Sequence, residues 1–257
     1  MSMLRLRQVC LAAPHLEPAV SDLAAIFGIE VCVRDYHVDI YGLNNALLPF
    51  GADFVEIVAP MRQDTAVGRF LRKGDERGAY MAIFQCDDPE RRQAHVEALG
   101  IRTPHIIDRP EYRNVQLHPK DCRATILEFA RSTGGEERPG NWWPAGPDWQ
   151  QFADMRGEGA RIVGLEIASP DPEGLAAHWS RIIELPLGRQ DGAPVLLADG
   201  CPFAFVAGDA ERVSTLVVAV SDPARALSIA AGRGRAVTAD GFPLAGVDFR
   251  LTTRGAS

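Results

Sequence analysis

Two glutamates stand where a carboxylate is costly. Glu56 in "FVEIVAP" and Glu128 in "ILEFA" each interrupt a strand-like run. Side chains alternate along a strand, so Phe54 and Val58 share the face of Glu56, and Ile126 and Ala130 share that of Glu128. A carboxylate on an apolar wall needs a cation, a hydrogen-bonding partner or a retained proton. A retained proton raises the carboxyl pKa toward the range that general acid–base chemistry uses. A set of oxygen donors instead suits a hard divalent ion such as Mg2+ or Mn2+.

Each glutamate has a companion at a matched distance. Gln8 in "RQVCLAAP" precedes Glu56 by 48 residues, and Met81 in "YMAIFQCDDP" precedes Glu128 by 47. Strict alternation places Gln8 with Leu6 and Cys10. The repetition follows from the elements. "LRLRQVCLAAP" reads as a strand, and "HLEPAVSDLAAIFGIE" as a helix stopped by Gly28. "EVCVRD", "VDIYGLNNALLPFG" (split near Gly42–Asn44) and "DFVEIVAP" read as strands. The β-α-β-β-β order recurs over 79–131, and again from 160. A fourth unit has "STLVVAVSDPARALSIAAGRG" followed by "RAVTAD" and "VDFRLTTR" as strands. "GRGR" reads as a helix end, since no strand leads into it. The expected architecture is α+β, with four βαβββ modules paired into two half-open barrels. The divisions are 1–131, a Gly-, Pro- and Trp-rich linker over 132–159, and a shortened 160–257. Trp142, Trp143 and Trp149 imply that the linker packs on something.

This order, together with "QVCLAAPHLEPAV", "FVEIVAP", "MAIFQCDDPERRQAHVEALGIR" and "LHPKD…ILEF", resembles the vicinal-oxygen-chelate superfamily. Its members include glyoxalase I, methylmalonyl-CoA epimerase, bleomycin-resistance proteins and extradiol dioxygenases. The resemblance implies paired βαβββ modules forming a cup, with site residues from the first and last strand of each module. Those positions fall on Gln8, Glu56, Met81 and Glu128; in the second pair they read Gly164, Phe205, Thr215 and Arg250, which form no such site. The family's usual histidines are missing, which disfavours iron dioxygenase chemistry, and a Met81 thioether suits a hard ion poorly.

The resemblance therefore implies an enzyme moving a proton next to a carbonyl of a small oxygenated metabolite, of isomerase, epimerase or lyase type. Glu56 or Glu128 is the base and Gln8 orients the substrate. Gln8, Glu56 and Glu128 are the candidate ligands if a divalent metal is the cofactor. The alternative is a non-catalytic binding protein that sequesters a ligand in an aromatic groove built from Trp142 or Trp143. Tyr41, Asn44 and Asn45 are candidates for hydrogen-bonding a substrate, against plain turn chemistry for "LNN". Tyr112 and Arg113 could hold an anionic group at the cup mouth. His118 is a substrate-binding candidate or a turn residue, because "HPKDCRA" lacks the glycines that related epimerases carry there. The other five histidines have no metal spacing.

The net charge of -7 argues against nucleic acid and by itself names no partner; the resemblance implies a small-molecule ligand, with homodimerisation compatible. No run of about 18 apolar residues suggests a membrane span, and the start lacks a signal-peptide core. Five cysteines without a C-x-x-C pair read as reduced thiols of a cytoplasmic protein. Neither a G-x-S-x-G nucleophile nor a dinucleotide fingerprint occurs.

Overall fold

The computed structural model describes residues 3–62, 64–74, 77–154 and 159–254. The first unit is β1 (Leu4–Ala12), α1 (Ala19–Phe27), β2 (Val33–Arg34), β3 (Leu43–Phe50) and β4 (Asp53–Pro60). A short α2 (Ala66–Leu71) leads to β5 (Met81–Cys86), α3 (Pro89–Ala98), β6 (His105–Asp108), β7 (Tyr112–Gln116), the one-turn α4 (Pro119–Cys122) and β8 (Ile126–Ser132). The third unit is β9 (Arg161–Ser169), α5 (Pro172–Ile183), β10 (Leu187–Gln190), β11 (Ala193–Ala198) and β12 (Cys201–Ala207). The fourth is β13 (Arg212–Val220), α6 (Pro223–Gly232), β14 (Gly241–Leu244) and β15 (Val247–Thr253).

Three of the module helices start on the same local chemistry. In α3, α5 and α6 an aspartate precedes a proline, and its carboxylate accepts the backbone N–H three residues on: Asp88 from Arg91 at 2.8 Å, Asp171 from Gly174 at 3.0 Å, Asp222 from Arg225 at 2.9 Å. The cap satisfies an orphan donor and proline fits the first turn, so "DP" after a strand sets each helix start.

Each half forms one mixed sheet, in the orders β2-β3-β4-β1-β5-β8-β7-β6 and β10-β11-β12-β9-β13-β15-β14. Within a unit the first and last strands run parallel; the two units of a half join antiparallel, β1 on β5 and β9 on β13. One face of the first sheet shares an apolar core with α1 and the second half, where Phe84 meets Phe203 at 5.6 Å and Phe27 meets Phe249 at 5.9 Å. The other face is concave and has its own core, built from Phe54, Met81, Tyr112, Trp142 and Trp149.

Two sequence expectations need correction. "RAVTAD" is not a strand: Arg233 and Arg235 reach across to the buried Asp22 on α1, which ties this segment to the first half instead of to a sheet edge. Gln8 also does not share a face with Leu6. The β1–β5 register slips between them, so Arg7 is an extra residue in the ladder. The bulge turns Leu6 to the shared core while Gln8 and Cys10 face the concavity.

The stretch after β8 crosses that concavity as a strap. Arg5 donates to the carbonyls of Gly135 (2.9 Å) and Glu137 (3.0 Å), and Arg7 to those of Arg138 (2.6 Å) and Gly140 (3.3 Å). The fully buried Arg7 guanidinium lies 5.3–5.6 Å from the rings of Phe54, Trp142 and Trp149, so β1 hooks the strap through cations and aromatic faces.

Candidate active site

The floor of the first cup is laid out by register. Glu56 on β4 pairs with Cys10 on β1, Cys10 with Met81 on β5, and Met81 with Ile126 on β8, two residues before Glu128. Glu56 and Glu128 are thus three strand spacings apart, roughly 14 Å along a flat sheet. Curvature brings them within electrostatic reach, and the charge of Glu56 contributes to the rise in the Glu128 pKa. Both are buried.

Their surroundings differ. Glu56 is held by amides: Gln8 Nε2 donates to one oxygen at 2.9 Å and Asn45 Nδ2 to the other at 2.7 Å, while the Cys10 thiol adds a third hydrogen bond. Burial raises its pKa and these donors oppose the rise. Glu128 accepts from the Tyr112 hydroxyl at 3.1 Å and from Asn114. Burial lifts its pKa from 4.5 to about 7, with the donors lowering it and Glu56 raising it further. Burial and the Glu128 charge push the Tyr112 hydroxyl well above its usual pKa, so it stays a donor.

Other sequence candidates divide. Met81 lies in the cup, its sulfur 3.7 Å from the Gln116 amide nitrogen. Tyr41 stands at the rim, its hydroxyl 2.9 Å from His105 Nε2; burial raises its pKa, and the Glu128 charge is near enough to raise it further. Arg113 does not face the cup. In "YRNVQ" the inward set is Tyr112, Asn114 and Gln116, so Arg113 turns to the helix side and pairs with Asp108 (2.5 Å) and Glu90 (3.2 Å). His118 is also elsewhere. It caps α4, where Nδ1 accepts from Lys120 N–H at 3.2 Å and lies 3.0 Å from Arg102 Nη2. In the second sheet Phe205 is buried in the shared core against Trp179, off the face where Arg250 pairs with Glu166 at 2.5 Å.

Sequence reasoning gave no site role to Cys10, Asn114, Gln116, His105 or Arg109. Period-two reading of "YRNVQ" could have found Asn114 and Gln116. The strap contributes what no local pattern shows: Trp142 is fully buried, and its indole N–H donates to Gln8 Oε1 at 2.8 Å. Trp143 covers Tyr112, with ring centroids 4.8 Å apart and planes 17° from parallel.

These residues do not fit a divalent metal. A ligating Gln8 must offer its oxygen, but that oxygen accepts from Trp142 while its N–H points at Glu56. Flipping the amide would set N–H against N–H and oxygen against carboxylate, so the network fixes its orientation. Both Glu56 oxygens are taken by N–H donors, and Met81 supplies a soft sulfur. Among the described residues, no group of three or more His, Cys, Asp or Glu side chains could hold a metal ion.

The paired sheets have the glyoxalase-like fold, and the chain is a member of the vicinal-oxygen-chelate superfamily. Residues 9–183 match the family described as glyoxalase-like domain, and the chain belongs to it. Human mitochondrial methylmalonyl-CoA epimerase is 24% identical over 131 residues, covering 50% of this chain and 74% of that protein. A Streptomyces coelicolor methylmalonyl-CoA epimerase solved with 2-nitronate-propionyl-CoA is 26% identical, with a TM-score of 0.46 over 51% of this chain and 99% of that one. A mutant of 4-hydroxymandelate synthase from the same species matches in fold across 100% of this chain and 94% of its own, with a TM-score of 0.71 and 12% identity. Among the described residues, no helix is long and apolar enough to cross a membrane.

Proposed function

We propose that the first cup moves a proton next to a carbonyl group of a small oxygenated metabolite, in an isomerase or epimerase type of reaction. Glu128 is the base. The single observation that carries this is its setting: a buried carboxyl with a pKa of about 7, hydrogen-bonded to Tyr112 and facing a second carboxylate held by amides. A base works best when its pKa lies near the working pH, and unlike environments for two carboxyls divide their roles. Glu128 takes the proton as the substrate C–H bond breaks, and the electron pair moves onto the carbonyl oxygen. As the pair returns, Glu128 delivers the proton to the neighbouring carbon, as an isomerase does, or to the other face of the same carbon once the enolate has turned, as an epimerase does. As Glu128 takes up the proton it no longer needs the Tyr112 hydroxyl, whose one O–H, kept protonated, swings from Glu128 to the developing enolate oxygen. Gln8 and Asn45 position Glu56 and the substrate's polar edge. The epimerase relatives support this class of chemistry.

The test is hydrogen–deuterium exchange at carbon in D2O, followed by NMR. The panel is methylmalonyl-CoA with aliphatic and aryl-substituted 2-oxo acids. Wild-type protein should exchange at least one of them, and Glu128→Gln should lose about 100-fold or more. No exchange above buffer across the panel would overturn the proposal. A second reading, ligand sequestration without chemistry, is favoured by the Trp143–Tyr112 stack at the cup mouth. Stoichiometric binding without exchange would select it.

A further inference from the structure

The mouth of the first cup is filled by one of the protein's own side chains. The Trp143 indole is flanked by two near-parallel rings, Tyr112 at 4.8 Å and 17° and His37 at 4.8 Å and 15°. The Arg109 guanidinium lies 5.3 Å from the same indole. Arg109 is placed there by the turn into β7, in which Arg109 and Tyr112 exchange backbone hydrogen bonds of 3.0 and 3.3 Å. The head of Arg109 is exposed and has no carboxylate partner among the described residues. The hydroxyl of the same Tyr112 meets Glu128.

Trp143 differs from its neighbour in how firmly it is held. Trp142 is fully buried and hydrogen-bonded to Gln8, so it belongs to the cup wall. Trp143 is half-buried; its backbone N–H donates to Ser132 Oγ at 2.9 Å, and its indole is held by contacts with Tyr36, His37, Tyr112 and Arg109. Turning the ring outward breaks these contacts and leaves intact the bonds by which Arg5 and Arg7 hold the strap.

We propose that Trp143 occupies the place of the ligand: a flat aromatic carboxylate whose ring replaces the indole on Tyr112 and whose acid group pairs with Arg109. This rests on the first cup being the ligand site, and it names the substrate class there. A flat ring recovers the stacking that the indole gives up, while Arg109 exchanges a ring contact for a charge-assisted hydrogen bond. A saturated ligand of the same size loses the first gain, and an uncharged one loses the second.

The experiment is calorimetric titration with 2-naphthoate, its saturated counterpart decalin-2-carboxylate, and the uncharged 2-naphthylmethanol. Wild-type protein should bind 2-naphthoate at least tenfold more tightly than either control. Trp143→Ala should tighten 2-naphthoate about tenfold, the weight of one stacked pair no longer competing. Arg109→Gln, at an exposed position, should erase the preference for the acid over the alcohol and keep the preference for the flat ring. Equal binding of 2-naphthoate and its saturated counterpart would overturn the proposal. So would absence of 2-naphthoate binding, or unchanged or weaker binding in a folded Trp143→Ala. The deuterium exchange assay separates the two readings. Exchange on an aliphatic substrate without 2-naphthoate binding ends this inference alone, and 2-naphthoate binding without exchange on any substrate ends the proton-transfer reading alone.

Discussion

Replacing Glu128 by glutamine should change how stability depends on pH, and in a defined direction. The folded-state pKa of Glu128, about 7, lies above the ordinary 4.5, so the native state holds the proton more tightly than the unfolded chain does. Stability from this group is complete below about 4.5 and is lost as the pH rises through about 7. At about 1.4 kcal/mol for each tenfold change, that difference amounts to about 3 kcal/mol. Glutamine stays neutral and keeps an oxygen to accept the Tyr112 hydroxyl. Glu128→Gln and wild type should therefore have similar urea midpoints near pH 4.5, with the variant gaining steadily to an advantage of up to about 3 kcal/mol above pH 7. Glu56 titrates in both proteins, so most of its contribution cancels in the difference. The assay is urea unfolding followed by tryptophan fluorescence at half-unit steps of pH. Parallel profiles, with the same offset at every pH, would contradict this, because they would mean that Glu128 ionises alike in the folded and unfolded chain.

Further outcomes follow from the same contacts. Trp142→Phe leaves the buried Gln8 Oε1 without its donor and should cost about 1–3 kcal/mol in denaturant unfolding; an unchanged midpoint would show that the bond does not hold the strap. Millimolar Mg2+ or Mn2+ should leave the thermal unfolding temperature unchanged, since the candidate oxygen donors already accept N–H and O–H groups; a clear upward shift would contradict that donor assignment. A fragment of residues 1–131 lacks both the strap and the half that covers Phe27 and Phe84, and it should show no cooperative thermal transition by circular dichroism.

The parts of this fold that show in the sequence are those governed by local chemistry. Asp-Pro after a strand marks three helix starts, and period-two alternation puts Glu56 and Glu128 on the concave face because β4 and β8 run without a break in pairing. Alternation fails at Gln8, which reaches the cup only because the bulge at Arg7 reverses the phase set by Leu6. It also turns Arg113 to the helix side: one residue along a strand reverses the face, and the cation that lies beside Trp143 is Arg109 on the preceding turn. The role of Trp142 depends on a partner 134 residues away, and that of Arg235 on one 213 residues away, distances over which no periodic signal extends.

The most direct test is a carboxyl titration by carbon NMR, using protein labelled at the glutamate side-chain carboxyl carbon. One resonance, absent from Glu128→Gln, should titrate near pH 7 and move to lower pH in Glu56→Gln, where the neighbouring charge is removed. If the resonance lost in Glu128→Gln instead titrates near 4.5 in the wild type, with no response to Glu56→Gln, the two carboxyl groups do not share a buried cup.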